Sequence, residues 1–222
     1  MEIKSEDLRE QIIEMSALTE KILESSFNKD IDLKEIYKIE DDINIYHKKV
    51  DDNVFKFIAL KNPIARDLRM ALCAMKINAE LERMADQAVS IRRYYTSVNR
   101  KYPLVENMIT EVLEMVKNSI DSFVKYDTRK ATDVIKNDQG INDINKEVIK
   151  TFLSRMKSNE LSFDEGFAVI RVAKNLERVG DLTTNIAEDV IFLVSGDDIR
   201  HGGGSYVESL KSKKNDQQED PS

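Results

Sequence analysis

One stretch in the last quarter of the sequence decides the fold: Val169-Ile-Arg-Val-Ala-Lys-Asn-Leu-Glu-Arg-Val-Gly-Asp-Leu-Thr-Thr-Asn-Ile186. Its apolar positions alternate by three and four residues, which predicts an amphipathic helix with one apolar seam. The full seam is Val169, Val172, Leu176, Val179, Thr183, Ile186, Val190 and Leu193. Glu177 and Asp181 fall outside this seam, at roughly 100° or more around the helix. The stretch therefore predicts a helix that packs through one side and displays two acids on another.

The same pattern occurs 95 residues earlier in the chain, where Leu81-Glu-Arg-Met-Ala-Asp86 matches Leu176-Glu-Arg-Val-Gly-Asp181. The corresponding seam is Ile77, Leu81, Met84, Ala88, Ile91 and Tyr95. Shifts of 97 and 98 residues align the segments that precede the two stretches, so that small insertions fall in loops. The chain is therefore predicted to use one structural unit twice.

Apolar spacing, acidic helix starts and the Pro63 and Pro103 steps divide the sequence into six helices. Their expected extents are about 5–27, 31–61, 63–97, 104–125, 129–157 and 163–195. We predict an all-α fold of two tandem three-helix bundles, at residues 1–100 and 101–197, each closing around its own apolar stripes. Residues 198–222 lose the apolar periodicity and are predicted to be a disordered tail.

Composition restricts the possible functions. The chain has 222 residues, a formal charge of −7 and a pI of about 5.1, which argues against a nucleic-acid partner. The single cysteine, Cys73, is expected in the core of a protein from a reducing compartment. The charged first residues do not resemble a signal peptide, and no apolar run approaches the roughly 20 residues that span a bilayer. We expect a cytoplasmic protein that meets membranes only through partners.

Acidic and amide side chains four residues apart occur at matching places in both repeats, and these are the candidate metal ligands. Like charges at this spacing mildly destabilise a helix, so a bound cation could offset their repulsion. The first set is Glu40, Asn44, Glu82 and Asp86, and the second is Asp138, Asn142, Glu177 and Asp181. A single acidic pair usually belongs only to a solvated helix face. Because the pair is duplicated, a metal site is favoured. The alternative is that the acids only keep the helix surface solvated.

The outward direction of the acids separates this chain from di-iron enzymes, whose ligands project into the bundle core and include Glu-x-x-His spacing. The two histidines, His47 and His201, have no second histidine nearby and are interpreted as structural. Oxygen ligands suit several cations, so magnesium, calcium, manganese, zinc and iron, including iron clusters, stay open. The sequence shows no arrangement of nucleophile and base, and we do not expect an enzyme.

The motifs resemble those of the PhoU family. Residues 174–188 and their earlier copy at 77–86 are similar to the repeated acidic motif of that family. The segment Pro63-Ile-Ala-Arg-Asp-Leu-Arg69 is similar to another family segment, and residues 188–201 are similar to the usual ending. The matches extend over about residues 5–201.

This resemblance implies a bacterial cytoplasmic regulator of two three-helix bundles, commonly a homodimer, with multinuclear metal clusters on its surface acids. It implies two partners, the ATPase subunit of the phosphate ABC transporter and the phosphate-sensing histidine kinase. It also implies negative regulation, in which the phosphate-starvation response stays off while phosphate is plentiful.

The first repeat departs from the family pattern at Ala85 and Ser90, which stand where the second repeat has Gly180 and Asn185. Loss of an amide oxygen at position 90 is expected to weaken or alter metal binding at the first set. Two other functions remain as alternatives, a metal-dependent hydrolase such as a phosphatase and a helical adaptor whose acids serve only solubility.

Overall fold

The computed structural model describes residues 3–196 and contains six α-helices in this part of the chain. The helices are α1 (Ser5–Ser26), α2 (Leu33–Lys61), α3 (Ala65–Tyr95), α4 (Pro103–Lys125), α5 (Thr128–Lys157) and α6 (Phe163–Ser195). The predicted all-α, six-helix, two-repeat fold is confirmed. The tail predicted at 198–222, with His201, lies outside the described residues.

Short side chains and backbone conformation define where these helices begin and end. The carboxylate of Asp32 accepts the Lys34 N–H at the start of α2, and Asp127 accepts two N–H groups at the start of α5. Ser162 accepts the Glu165 N–H at the start of α6. Such caps satisfy N–H groups that the first helical turn leaves without partners.

The predicted start of α2 and both predicted ends of α3 lie two residues outside the observed helices, and Pro63 is not in the first turn of α3. Asn62 ends α2 in the left-handed conformation, with φ of 47°, and Ile64 is the extended residue that precedes α3. Pro63 lies between them in the linker, and α3 starts two residues later than expected, at Ala65. By contrast, Pro103 occupies the first turn of α4, where its missing N–H costs no hydrogen bond.

Helices α1, α2 and α3 pack against one another, as do α4, α5 and α6. All predicted seam residues of α6 are buried, and so are those of α3 except Tyr95, which is partly buried. Cys73 is buried, as expected. The linker between the two helix groups covers residues 96–102.

The two groups do not close separately, because α3 and α6 pack against each other along their lengths and α1 also contacts α4. The packing of α3 on α6 is antiparallel. At one end the Arg69 Nε donates to the Leu193 carbonyl oxygen at 3.3 Å, and at the other the rings of Tyr94 and Phe167 lie 6.2 Å apart. The buried apolar residues form a single cluster that includes residues from all six helices. Within residues 3–196, none of the helices combines the length and the apolar character that a membrane span requires.

Candidate metal sites

The second acid set lies between α5 and α6. Within α5, the Asn142 amide nitrogen donates to Asp138 Oδ2 at 2.8 Å. Burial raises the pKa of Asp138 and of Asp181, and the negative charge of Glu177 adds to the rise in both. The charge of Asp138 also raises the pKa of Asp181 across the two helices. The structure thus brings the four predicted side chains into one electrostatic neighbourhood.

One oxygen of this set, Asp138 Oδ1, is buried, and within residues 3–196 the donor beside Asp138 other than Asn142 is the Thr184 hydroxyl, which offsets part of the burial-driven rise in the pKa of Asp138. The same hydroxyl donates to the Gly180 carbonyl oxygen at 3.2 Å. A buried carboxylate oxygen that must share its donor is unfavourable, and a cation is one group that can satisfy it. The donor chemistry of the second set therefore fits a hard metal ion.

Lys174 complicates this set, because its ammonium group donates to Glu177 Oε2. The ion pair neutralises one of the carboxylates and competes with any added cation for it. The first repeat has Ala79 at the matching position, 95 residues earlier, so its acid set lacks this internal competitor.

The first acid set lies between α2 and α3 in the same arrangement. The Asn44 amide nitrogen donates to Glu40 Oε1 at 2.9 Å. Burial raises the pKa of Glu82, and the charges of Asp86 and Glu40 raise it further. Burial also raises the pKa of Asp86. Both predicted sets are therefore brought together by the fold, one in each repeat.

His47 is an additional residue beside the first set. It lowers the pKa of Glu82, and its Nε2 lies 3.5 Å from Asp51 Oδ2. We had interpreted His47 as structural, yet its spacing from Glu40 and Asn44 places all three on one face of α2. That spacing is the signal that could have identified it.

The acids lie outside the hydrophobic core, as predicted, but each set faces a neighbouring helix and not, as expected, open solvent. Asp86 and Asp181 are exposed, and the remaining six candidate ligands are partly buried. The side chain of Glu177, for example, is 15% exposed. None of the eight belongs to the hydrophobic core. Their partial burial arises because each set faces a neighbouring helix rather than open solvent.

The sets are not closed ligand shells. Between residues 3 and 196, no three His, Cys, Asp or Glu side chains converge closely enough to hold a metal ion together. Each set instead presents two facing pairs, so a shared cation would require its ligands to turn toward one another.

The two departures in the first repeat have different consequences. A Cβ atom added at Gly180 would meet Ile141 and Asp138 at ordinary contact distances of 3.5 and 3.6 Å, so an alanine fits there as Ala85 does in the first repeat. Asn185, the counterpart of Ser90, donates its amide to Glu80 of α3 at 3.4 Å. Asn185 thus contributes to the packing of α3 on α6. The prediction that Ser90 weakens metal binding in the first repeat did not consider this packing role.

Comparison with known proteins agrees with this architecture. The family model of the PhoU domain matches the chain twice, at residues 7–94 and 105–190. A "Phosphate-specific transport system accessory protein PhoU homolog" from Clostridium acetobutylicum is 31% identical over 202 residues, which cover 86% of this chain and 92% of that protein. A homolog with the same description from Pseudomonas aeruginosa is 29% identical over 209 residues, covering 89% of this chain and 86% of that protein.

The crystal structure of PhoU from Pseudomonas aeruginosa is similar to this structure with a TM-score of 0.81 and 28% sequence identity. The similarity covers 86% of this chain and 97% of that chain. Because the family model matches both repeats and the relatives match over nearly their whole lengths, this chain belongs to the PhoU family.

Proposed function

We propose that this chain regulates phosphate uptake and phosphate-starvation signalling as an accessory protein of a phosphate transport system. The observation that carries the proposal is that the PhoU domain model matches the chain twice, at residues 7–94 and 105–190. The relatives that share this organisation are described as phosphate-specific transport system accessory proteins. The chain covers 92% and 86% of their lengths, so the comparison concerns the whole protein and not a shared fragment.

We infer that the partners are the ATPase subunit of the phosphate ABC transporter and the phosphate-sensing histidine kinase. In this proposal the protein is a cytoplasmic homodimer that keeps the starvation response off while phosphate is plentiful. It reaches the membrane through these partners. The support is the description of its relatives together with the motif resemblance.

We further propose that each acid set binds a hard metal ion or a metal cluster, with magnesium, calcium, manganese, zinc and iron as candidates. Each set offers three carboxylates and one amide across two neighbouring helices. Burial raises the pKa of Asp138, Asp181, Glu82 and Asp86, and the buried Asp138 oxygen adds a local need for a positive group. Bound metal would neutralise these acids and shape the surface offered to partners.

Metal analysis of anaerobically purified protein tests this part of the proposal. Replacing Glu177 and Asp181 by alanine should remove about half of the bound metal, since one of two sets is lost. The matched control is Asp143→Ala with Glu147→Ala, which removes two exposed acids four residues apart on α5. This control should keep its metal. All variants should keep their helicity, because substitutions outside the core usually change the free energy of unfolding by no more than about 0.5 kcal/mol.

The outcomes separate the alternatives. Negligible metal in wild type and variants alike would favour a helical adaptor. Turnover of a phosphomonoester by metal-loaded wild type, lost in the Glu177→Ala/Asp181→Ala variant, would favour a hydrolase. For the regulatory role, the immobilised full chain should retain the purified transporter ATPase or the sensor kinase. Retention of neither would contradict the proposal.

A further inference from the structure

A cavity of about 340 Å³ lies where α2, α3 and α6 meet, and three arginines line it. Arg93 comes from α3, and Arg171 and Arg178 come from α6. Arg93 and Arg178 are also exposed, so the cavity is accessible from solvent. Three guanidinium groups lining one cavity are a concentration of positive charge in an otherwise acidic protein.

The carboxylates near these arginines act on them only at a distance, as Asp181 does, whose pKa, raised chiefly by burial, is partly lowered again by the charge of Arg178. Arg93 donates its Nε to the Tyr37 hydroxyl at 2.8 Å, and Arg171 stacks over the Tyr94 ring at 5.1 Å. The Nε of Arg171 is buried and has no hydrogen-bond partner in the described part of the chain. Within residues 3–196, none of the three forms an ion pair with a carboxylate.

The internal repeat provides a comparison for this cavity. A shift of 95 residues aligns Arg171, Asn175 and Arg178 with Lys76, Glu80 and Arg83. The first-repeat cations both have carboxylate partners: Lys76 Nζ lies 2.9 Å from Asp189, and Arg83 lies 3.1 Å from Glu80. The basic positions are thus present in both repeats, but only the first repeat neutralises them internally.

The difference lies in the acidic positions. The same shift aligns Glu80 with Asn175, Asp189 with Tyr94, and Glu188 with Arg93. The two acids that pair with the first-repeat cations, Glu80 and Asp189, are therefore replaced by the neutral Asn175 and Tyr94. The cavity lining keeps three bases, and its acids are Glu40 and Asp86 of the first metal set.

We propose that this cavity binds a phosphate-type oxyanion through Arg93, Arg171 and Arg178. Guanidinium groups favour such ligands because their planar donors form paired, charge-assisted hydrogen bonds with phosphate oxygens. Ser90 and Gln87 also line the cavity, and their hydroxyl and amide N–H groups are further donors for an oxyanion. The regulatory meaning of this ligand rests on the proposed function. The inference deepens that function by naming a class of ligand for this chain.

Two acids of the first set, Glu40 and Asp86, also line the cavity and oppose an anion. With three arginines, the lining keeps a net positive charge. The volume has room for inorganic phosphate with its water or for the phosphoryl group of a larger molecule, and both present the same oxygens.

Calorimetric titration of the full chain with inorganic phosphate tests the proposal, in chloride buffer freed of metals by a chelating resin. Wild type should bind one phosphate per chain, and binding should weaken as ionic strength rises. Arg178→Gln, which changes an exposed residue, and Arg171→Gln should each weaken binding by about tenfold or more, since each removes charge-assisted hydrogen bonds. Arg83→Gln is the matched control at the repeat-related position and should bind like wild type.

A second variant places a carboxylate of the chain itself in the cavity, where the phosphate would bind. Asn175→Glu introduces the acid that the first repeat carries as Glu80, and it should abolish phosphate binding. Because Asn175 is 2% exposed, circular dichroism must first show wild-type helicity in this variant. The exposed Arg178→Gln variant keeps the test decisive if Asn175→Glu fails to fold.

Phenyl phosphate identifies the source of the anion. Tighter binding of phenyl phosphate than of phosphate assigns the cavity to a phosphorylated molecule, and equal or weaker binding assigns it to free phosphate. Absence of saturable binding by both ligands would overturn the proposal. So would phosphate binding that requires added Mn²⁺ and survives Arg171→Gln and Arg178→Gln. Retention of the transporter ATPase by a chain that binds neither ligand would remove this inference and leave the proposed function intact.

Discussion

Asp181 shows how the surroundings of a single carboxyl group act on it. Burial raises its pKa, and the negative charges of Asp138 and Glu177 raise it further. A carboxyl group with a raised pKa holds its proton longer in the folded protein than in the unfolded chain. Its ionisation therefore costs folding free energy, and the stability that it contributes at low pH is lost as the pH rises through its folded pKa.

The raised pKa of Asp181 leads to a prediction for the metal-free protein. Replacing Asp181 by asparagine removes the ionisation and should raise the free energy of unfolding at pH 7. The stabilisation should shrink as the pH falls toward the ordinary aspartate value of 3.8, because the wild-type group is then increasingly protonated in both states. Urea denaturation between pH 4.5 and pH 7, with a chelating agent present, measures the difference between variant and wild type.

Asp143 on α5 is the control of opposite sign. Its pKa is lowered by hydrogen bonds from Lys146 and Gln139, so its charged form is favoured in the folded protein. Asp143→Asn should therefore give no gain in stability at pH 7. An equal gain for both substitutions would show that lower overall negative charge, and not the environment of Asp181, is responsible.

The sequence predicted the acids of each set because spacing along one helix decides which side chains share a face. The sequence analysis did not identify Lys174 as the partner of Glu177 or His47 as a neighbour of the first set. Both were readable from spacing, since Lys174 lies three residues before Glu177 and His47 shares a face of α2 with Glu40 and Asn44. The cavity arginines could not be identified in this way, because their neighbours come from three helices.

The helices themselves were predictable because apolar periodicity is repeated over many residues and averages out local exceptions. Their starts and ends depend on single residues and were less certain. Pro63 is the example: a proline after Lys61-Asn62 is compatible with either the first turn of a helix or a linker. The left-handed conformation of Asn62, with φ of 47°, decided for the linker.

Three glycines inside helices give a prediction about packing between α5 and α6. A Cβ atom at Gly140 meets nothing within 4 Å, so Gly140→Ala should stabilise the protein by about 0.5–1 kcal/mol through helix propensity. At Gly166 the added atom would lie 2.5 Å from Met156 Sδ, so Gly166→Ala should destabilise by about 1–3 kcal/mol unless Met156 moves. Gly180→Ala should be tolerated and should keep the metal content of wild type. Thermal denaturation with metal analysis checks all three.

A metal loss in Gly180→Ala would contradict the geometry, because the added atom meets Asp138 Oδ1 at 3.6 Å, an ordinary contact. Equal stability changes at positions 140 and 166 would show that helix propensity dominates over the Met156 contact.

At the level of the whole molecule, the pairing of α3 with α6 makes one protein of the two repeats. The sequence predicted two bundles because each seam was assigned to its own three helices. The second contact face of α6 was harder to recognise, since it includes polar residues such as Arg171, Asn185 and Asp189, which contact Tyr94, Glu80 and Lys76 of α3. Such residues do not stand out in a hydrophobic pattern, yet they allow helices to pack and leave one continuous core.

A continuous core predicts that the repeats unfold together. Leu81 and Leu176 are repeat-related, and both are 0% exposed. Truncating either to alanine should cost about 2–5 kcal/mol of folding free energy. If unfolding is cooperative across α3 and α6, Leu81→Ala should speed amide hydrogen exchange in α4 and α5 as much as in α1 and α2. Leu176→Ala should likewise speed exchange in α1 and α2 as much as in α4 and α5. Mass spectrometry of peptic fragments measures this directly, with the exposed Lys48→Ala as a control that leaves exchange unchanged. Faster exchange confined to the mutated repeat in both variants would mean that the α3–α6 interface joins two units that still unfold independently.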